Sequence, residues 1–358
     1  MQRIIQVMPA LVLYAPNVHT GGGLVLLRAL LSAWPAGSKL TAFFDSRVRE
    51  VLDVPPGAQI TWVAASVASR LAGEIALQRM AKRNTTVFCF HGLPPLLPSP
   101  ARVLVFQQNR NYFGLNSLSG LYPCTLKTRL RSGFERMVGW YFRHRVSEYI
   151  VQTPGMQRSL SLWYSAPGGR AARVRVLPFA GTFGQSATNK CVQRQWDFVY
   201  VADGEAHKNH RNLLQAWQLL AQDNLWPSLV LTLSLRDAAL AQTVVQLKQQ
   251  SGLCIYDLGQ MPHDEVLGLY GKARALIFPS TSESFGLPLI EASQLGLPIL
   301  ASELDYVRDV CVPAETFDPN SPVSIARAVK RFLGNPEPVV ALKTPHEFWA
   351  VLLQGERP

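Results

Sequence analysis

The chain is short of acids, of cysteine and of long apolar runs, and each shortage excludes something. Its 358 residues carry 35 Lys and Arg against 24 Asp and Glu, a formal net charge of +11. A balance that basic favours anionic partners such as nucleic acid, an acidic membrane surface or an acidic substrate. The five cysteines, Cys89, Cys124, Cys191, Cys254 and Cys311, are odd in number and scattered, with no Cys-x2-Cys pair. They support neither a disulfide frame nor a zinc site, and they fit a reduced cytoplasm. Cys89 and Cys254 fall in apolar, strand-like runs and are expected as core fillers. No apolar run approaches the ~18 residues of a spanning helix. The opening Met1-Gln-Arg-Ile-Ile-Gln-Val lacks a small-residue cleavage site, so no secretory signal is expected in it. The chain contains no internal repeat and no low-complexity segment.

What is present describes a globular α/β protein. Apolar residues make up 48% and charged residues 16% of the chain, which excludes disorder. The length suits two domains, each with its own core. Strand-like runs (Leu11–Ala15, Leu40–Phe44, Ile60–Val63, Val87–Phe90, Val103–Phe106, Tyr149–Gln152, Val174–Leu177) alternate with helical ones (Leu24–Trp34, Val67–Ala81, Leu126–Arg145). After the polar stretch Gly181–Gln195 the alternation resumes from Phe198 to Phe332. Alternation of this kind implies parallel sheets covered on both faces. The expected architecture is two Rossmann-like domains, 1–182 and 190–338, with parallel sheets facing a cleft and a C-terminal helix over 340–358 packing back on the first. Ligands in such sheets bind beyond the carboxyl ends of the strands.

The densest signal runs Phe278-Pro-Ser-Thr-Ser-Glu283-Ser284-Phe285-Gly286-Leu287-Pro288-Leu-Ile-Glu291-Ala-Ser-Gln-Leu-Gly296-Leu-Pro298-Ile. It reads as a buried strand, a short polar loop, a helix opening near Leu287 and a second apolar strand. Gly286 allows close backbone approach, and Pro288 suits a first helical turn. The N–H groups of that turn lack intrahelical partners, so an anion can sit there. Glu283 precedes the helix and Glu291 lies about a turn inside it, so the two are not an i,i+4 pair. Two carboxylates around an anion-binding helix start suit a ligand with phosphates in its middle and hydroxyls at both ends, as in a nucleotide sugar.

Glu283-Ser-Phe-Gly-Leu-Pro-Leu-Ile-Glu291, followed by Ala-x3-Gly-x-Pro-Ile, resembles the E-x7-E signature of the retaining glycosyltransferases of family 4, which have the GT-B fold. Weaker signals extend the resemblance from about Leu11 to Asn320. It implies that Glu291 holds ribose hydroxyls and Glu283 sugar hydroxyls, with the diphosphate on the backbone of Ser284, Phe285, Gly286 and Leu287 and on Lys208. Lys208 is read as entering a helix after the strand Phe198–Val201. The family pattern has an Arg before that Lys, and here Ala202 stands in its place, so either Arg211 or Arg308 supplies the second cation or phosphate binding is weaker. Leu258-Gly259-Gln-Met-Pro-His263 resembles the turn on which the nucleobase lies, with contact near Leu258. Gly21-Gly22-Gly23, between a strand and a helix, is neither a P-loop nor Gly-x-Gly-x-x-Gly. Read alone it is a flexible turn or a phosphate cradle, and the resemblance places Gly22 and Gly23 at the donor. His91, at the end of a strand, is either a structural histidine or, by resemblance, a donor-sugar or acceptor contact, counted with Glu283 and Lys208 among the expected catalytic residues.

The chain has no Asp-x-Asp, the pair with which the other large glycosyltransferase fold holds a divalent cation. No metal cofactor is therefore expected, and His207 and His210 lack companions for a metal site. From Arg102 to Arg145 there are eight Lys and Arg and one acid, Glu135. The segment from Cys124 to Arg145 places Leu126, Leu130, Phe134, Met137, Val138 and Tyr141 at helical spacing. It reads either as a packed helix with a solvated basic face or as a patch for anionic lipid. No stacking set accompanies the basic residues, so nucleic acid is not expected as a partner. The expected function is hexosyl transfer from a nucleoside diphosphate sugar to a glycan or lipid-linked acceptor in bacterial cell-surface polysaccharide biosynthesis (O-antigen or exopolysaccharide). The expected location is the cytoplasm, with peripheral contact on the inner face of the cytoplasmic membrane. A nucleotide-sugar epimerase, a phosphorylase or an inactive binding subunit of the same fold remain alternatives.

Overall fold

The computed structural model describes residues 10–35, 38–109, 126–164, 172–181 and 194–337. Most of the expected linker, all of 340–358, and Cys124, Cys191 and Arg110 lie outside the described residues. The first domain runs β1 (Ala10–Ala15), α1 (Gly21–Ser32), β2 (Thr41–Asp45), β3 (Gln59–Val63), α2 (Val67–Met80), β4 (Thr85–Cys89), β5 (Arg102–Phe106), α3 (Leu126–Phe142), β6 (Glu148–Val151), α4 (Pro154–Tyr164) and β7 (Arg173–Val176). The second runs β8 (Trp196–Tyr200), α5 (His210–Gln222), β9 (Leu229–Leu231), α6 (Ala238–Ser251), β10 (Ile255–Asp257), α7 (His263–Lys272), β11 (Ala273–Phe278), α8 (Leu287–Gln294), β12 (Ile299–Ser302), α9 (Asp305–Arg308), β13 (Glu315–Phe317) and α10 (Pro322–Phe332).

Both sheets are parallel throughout, with orders β3-β2-β1-β4-β5-β6-β7 and β10-β9-β8-β11-β12-β13. Side chains alternate across a strand, so β1 sends Val12 and Tyr14 to one core cluster and Leu13 and Ala15 to another. Helices α1, α2 and α4 cover those faces. In the second domain α5 buries Leu213, Leu214, Ala216, Trp217 and Leu220, the i, i+3, i+4, i+7 stripe of a core-facing helix. Among the described residues no helix is long and apolar enough to cross a membrane.

The α/β class and the parallel sheets are as the sequence implies, and most elements fall within two residues of expectation. Helices α4 and α9 were not expected. The α4 run opens with Pro-Gly, a turn signal, yet Pro154 sits at the first helical position and the Thr153 hydroxyl accepts the Met156 N–H at 3.1 Å. Cys89 is buried in β4, but Cys254 precedes β10 and is only partly buried. β10 lies at the edge of its sheet, where fewer residues are covered.

Each sheet has one place where the chain returns past its starting strand, between β1 and β4 and between β8 and β11. Crevices beyond such switch points are the natural ligand sites of open α/β sheets. The second is shaped by Gly286, which caps α8 at φ 71°. A Cβ there would lie 3.0 Å from Leu289 Cδ1. Gly286→Ala is expected to lower stability by about 1–2 kcal/mol, the usual cost of a left-handed L-residue. An unchanged urea midpoint would show that the loop takes another backbone conformation without penalty.

Candidate functional site

The loops after β8 and β11 are tied to each other. The His207 carbonyl accepts the Thr281 N–H at 2.8 Å and the Ser280 hydroxyl at 3.0 Å. Tyr306 donates its hydroxyl to the Ser280 carbonyl at 2.7 Å, and Tyr200 donates to the Lys208 carbonyl at 2.7 Å. Asn209 is left-handed at φ 61°, a conformation that Asn tolerates better than most residues. Its Nδ2 donates to the carbonyls of Pro279 at 3.0 Å and Pro319 at 2.7 Å. Lys208 therefore ends a short 3-10 turn (Ala206–Lys208) ahead of α5 and does not enter the helix as expected. The tie brings Lys208 Nζ to 2.7 Å from Glu283 Oε1, with both side chains largely shielded from solvent.

Glu283 lies in the loop and Glu291 is the fifth residue of α8, as the spacing implies. Ser284, Phe285, Gly286 and Leu287 form the approach to that helix, and Pro288 occupies its first turn. Glu291 is 4% exposed. His263 Nε2 meets its Oε1 at 2.9 Å, and Tyr270 donates its hydroxyl to Oε2 at 3.1 Å. The hydrogen bond to Glu291 holds the His263 imidazole above its ordinary pKa, against the opposing effect of partial burial. Burial, reinforced by Glu291, pushes the Tyr270 phenol well above its ordinary value. Neither His263 nor Tyr270 was assigned a role from the sequence. They lie seven residues apart on α7 and so share a face, but nothing local in the sequence names their partner. Leu258 follows β10 and is half-exposed at the strand's carboxyl end.

The facing wall belongs to the first domain. Gly21, Gly22 and Gly23 are the first turn of α1. A Cβ on Gly22 would stand 3.0 Å from Leu287 Cδ1, so the glycine turn and the start of α8 pack directly together. Beside them, Asn17, Thr20, Gly23, His91, Gln108 and Glu135 line a cavity of about 160 Å³. His91 Nδ1 lies 3.3 Å from the Tyr14 carbonyl, and its ring meets the Tyr14 ring edge-on at 5.2 Å. Burial lowers its pKa to about 4, so the imidazole is neutral at physiological pH. Below it Tyr14 donates to Glu74 Oε1 at 2.8 Å, and Glu74 Oε2 accepts the Leu96 N–H at 2.9 Å. This buried support escaped the sequence reading, because Glu74 looks like any polar residue of α2.

Two further expectations resolve differently. Arg308 binds Glu303 through Nε at 2.8 Å and through its terminal nitrogen, while Arg211 is exposed on the first turn of α5. On α3, Val138 packs inward, but Phe134, Met137, Trp140 and Tyr141 are 62%, 58%, 45% and 62% exposed. The Arg143 guanidinium lies 4.1 Å from the Trp140 ring centre. From Phe134 onward the apolar stripe of this helix thus faces mostly outward, in contrast to the packed reading, while the side chains of Leu126 and Leu130 lie outside the described residues. The side chains of Lys127, Arg129 and Arg131 lie outside the described residues.

Sucrose-phosphate synthase from Thermosynechococcus elongatus superposes at a TM-score of 0.67 with 18% identity, over 91% of this chain and 90% of that one. Anabaena HepE, solved in complex with UDP, superposes at 0.63 with 13% identity over 91% and 90%. The fold is GT-B. Residues 185–346 match the family model described as Glycosyl transferases group 1. O-antigen chain mannosyltransferase B of Escherichia coli is 32% identical over 139 residues, 38% of this chain and 36% of that protein. The chain thus spans about a third of the length of that curated relative. In this GT-B protein the two switch-point crevices face each other across one cleft, with Lys208, Glu283 and Glu291 on one side and the glycine turn and His91 on the other.

Proposed function

We propose that this protein is a retaining glycosyltransferase of family 4 that moves a hexose from a nucleoside diphosphate sugar to a hydroxyl of a lipid-linked glycan in bacterial cell-surface polysaccharide assembly. The observation that carries the reading is the meeting of Lys208 and Glu283 at 2.7 Å at the β8/β11 switch point, immediately ahead of α8. An ammonium and a row of helix N–H groups suit a diphosphate, and the adjoining carboxylate suits sugar hydroxyls. The group 1 match over 185–346 supports the class. The mannosyltransferase relative makes mannose the first sugar to test.

The roles follow from the chemistry. Glu291 accepts the ribose hydroxyls and the turn at Leu258 receives the base. Lys208 and the backbone of Ser284–Leu287 hold the diphosphate. As the bond from the anomeric carbon to the diphosphate oxygen breaks, charge accumulates on the leaving phosphate, where preorganised donors act most strongly. The acceptor oxygen bonds the anomeric carbon on the face being vacated, and its proton passes to the departing phosphate oxygen. Neutral His91, whose Nδ1–H is directed at the Tyr14 carbonyl, accepts from a sugar hydroxyl at Nε2. No metal takes part, because Lys208 and the helix N-terminus supply the positive potential.

The acceptor reading joins two features of α3. Glu135 lines the cavity of the first domain, while Phe134, Met137 and Tyr141 stand exposed on the same helix. Exposed aromatic residues among Arg136, Arg143 and Arg145 have the chemistry of an interfacial helix on anionic lipid. These features support a location on the inner face of the cytoplasmic membrane, with a lipid-linked acceptor delivered beside the cleft.

Purified protein should transfer sugar from at least one donor in a panel of nucleoside diphosphate hexoses, mannose first, with retention at the anomeric carbon and with full activity in excess chelator. Inversion, or activity that returns only with magnesium or manganese, would contradict the mechanism. Lys208→Ala should lower kcat by about 100-fold, the scale of removing one preorganised donor aimed at developing charge. A variant within a few-fold of wild type would transfer that role to another cation, Arg211 first. Liposomes rich in anionic lipid should sediment the protein in low salt and release it in high salt, since each basic residue contributes about 1 kcal/mol at such a surface. Phe134→Asp with Met137→Asp should weaken this binding at least ten-fold. Equal binding by the double variant would remove α3 from the membrane contact.

A further inference from the structure

Glu291 is held from two sides before any ligand arrives. His263 Nε2 lies 2.9 Å from Oε1 and the Tyr270 hydroxyl 3.1 Å from Oε2, so each carboxylate oxygen already has one partner. A carboxylate offers about four lone-pair positions over its two oxygens. The two taken by α7 leave one on each oxygen, spaced for two neighbouring hydroxyls. Both donors stand on one face of α7, which fixes the plane of the carboxylate. With Tyr270 alone the group could turn about its single hydrogen bond.

We infer that His263 is the positioning residue that makes the cleft select a ribose with both vicinal hydroxyls. The inference rests on reading the cleft as a nucleoside diphosphate site, and it goes beyond that reading in giving Glu291 a partner that tunes selectivity. His263 does not touch the reacting atoms. It acts through Glu291, and its ionisation sets how firmly the carboxylate is held.

The charged groups facing the imidazole come from three elements: Glu291 on α8, Asp264 on α7 itself and Arg28 on α1. The first two favour the imidazolium and Arg28 opposes it, while the Glu291 hydrogen bond is the largest effect. The folded pKa is raised, so the imidazolium–carboxylate bond is complete below the ordinary histidine value and is lost as pH climbs through the folded value. The neutral ring still bonds an ionised carboxylate but no longer brings a charge of its own, so the bond is weaker. Selectivity for the diol is therefore highest at mildly acidic pH and declines towards alkaline pH. Tyr270 does not contribute to this change, because its raised pKa keeps the phenol protonated throughout.

Calorimetric titration of the full chain tests this without any assay of transfer. The probes are the diphosphates of uridine, guanosine and adenosine, followed by the 2′,3′-dideoxy counterpart of the tightest binder, at pH 6 and pH 8.5. Wild type should prefer the diol by about ten-fold or more at pH 6, in line with two hydrogen bonds to a charged group, and lose about five-fold of that preference by pH 8.5. The dideoxy compound carries the same diphosphate and cancels its titration. His263→Gln keeps a donor that does not ionise, so its preference should be independent of pH. His263→Ala should lose the preference at both pH values while binding the dideoxy compound within about two-fold of wild type, which general damage to the site would not do. A wild-type preference constant across pH, or full preference in His263→Ala, overturns the inference. The wild-type pH comparison decides the matter even if neither variant folds. Absence of binding by all three diphosphates would instead overturn the reading of the cleft, and is thus distinguishable.

Discussion

The His207 carbonyl accepts from both the Thr281 N–H and the Ser280 hydroxyl, and the geometry of the second crevice depends on that junction. It joins the loop after β8 to the loop after β11, two segments separated by more than seventy residues of chain. Asn209 reinforces it through Pro279 and Pro319, and Tyr200 and Tyr306 clamp it from the core side. Each such bond contributes only about 1 kcal/mol to stability. Their joint effect is positional, because reacting groups misplaced by about 1 Å lose most of their effect. Lys208 and Glu283 meet because their backbones are fixed to each other before their side chains are.

Charge in the cleft is correspondingly concentrated. His91 and His210 have pKa values lowered to about 4 by burial, so neither adds positive potential at physiological pH. His207 is also shifted down, by burial and by Lys208 beside it. Arg308 is committed to Glu303. Part of the basic excess of the sequence follows α3, where the Arg143 guanidinium lies over the exposed Trp140 ring. Among the described residues of this +11 chain the cleft is thus sparingly charged, and under the reading proposed above Lys208 carries much of the potential that a diphosphate would feel. The Ala202 departure sharpens that dependence.

The sequence made the parallel sheets legible because strands buried on both faces read as unbroken apolar runs, as Ala273–Phe278 does. It made the Glu283–Glu291 segment legible because the loop, the glycine cap and the helix are contiguous. It could not show that Glu291 is held by His263, since the two lie 28 residues apart and meet only through the fold. Nor could it show the left-handed turn at Asn209 that keeps Lys208 out of α5. On α3 the failure is of another kind. Helical spacing of Phe134, Met137, Val138 and Tyr141 establishes that a stripe exists, but periodicity has no sign. The structure turns Val138 inward and the other three out.

The contact of Gly22 with Leu287 brings the first turns of α1 and α8 together from opposite domains. Neither helix has an acidic residue in its first turn or a side-chain cap. Both therefore present the positive end of a dipole to the same region. Elsewhere between the domains the same problem is met differently. The first turn of α4 receives Asp309 from the second domain, whose Oδ2 accepts the Gly155 N–H at 2.9 Å, and Arg158 lies 3.6 Å from Asp305. There a protein carboxylate supplies the anion that joins a helix start to the opposing domain. At α1 and α8 the sequence offers glycines and no acid. Two like dipole ends repel unless an anion lies between them, and an open glycine turn leaves the backbone free to approach one. Under the reading proposed above, the donor diphosphate is to α1 and α8 what Asp309 is to α4.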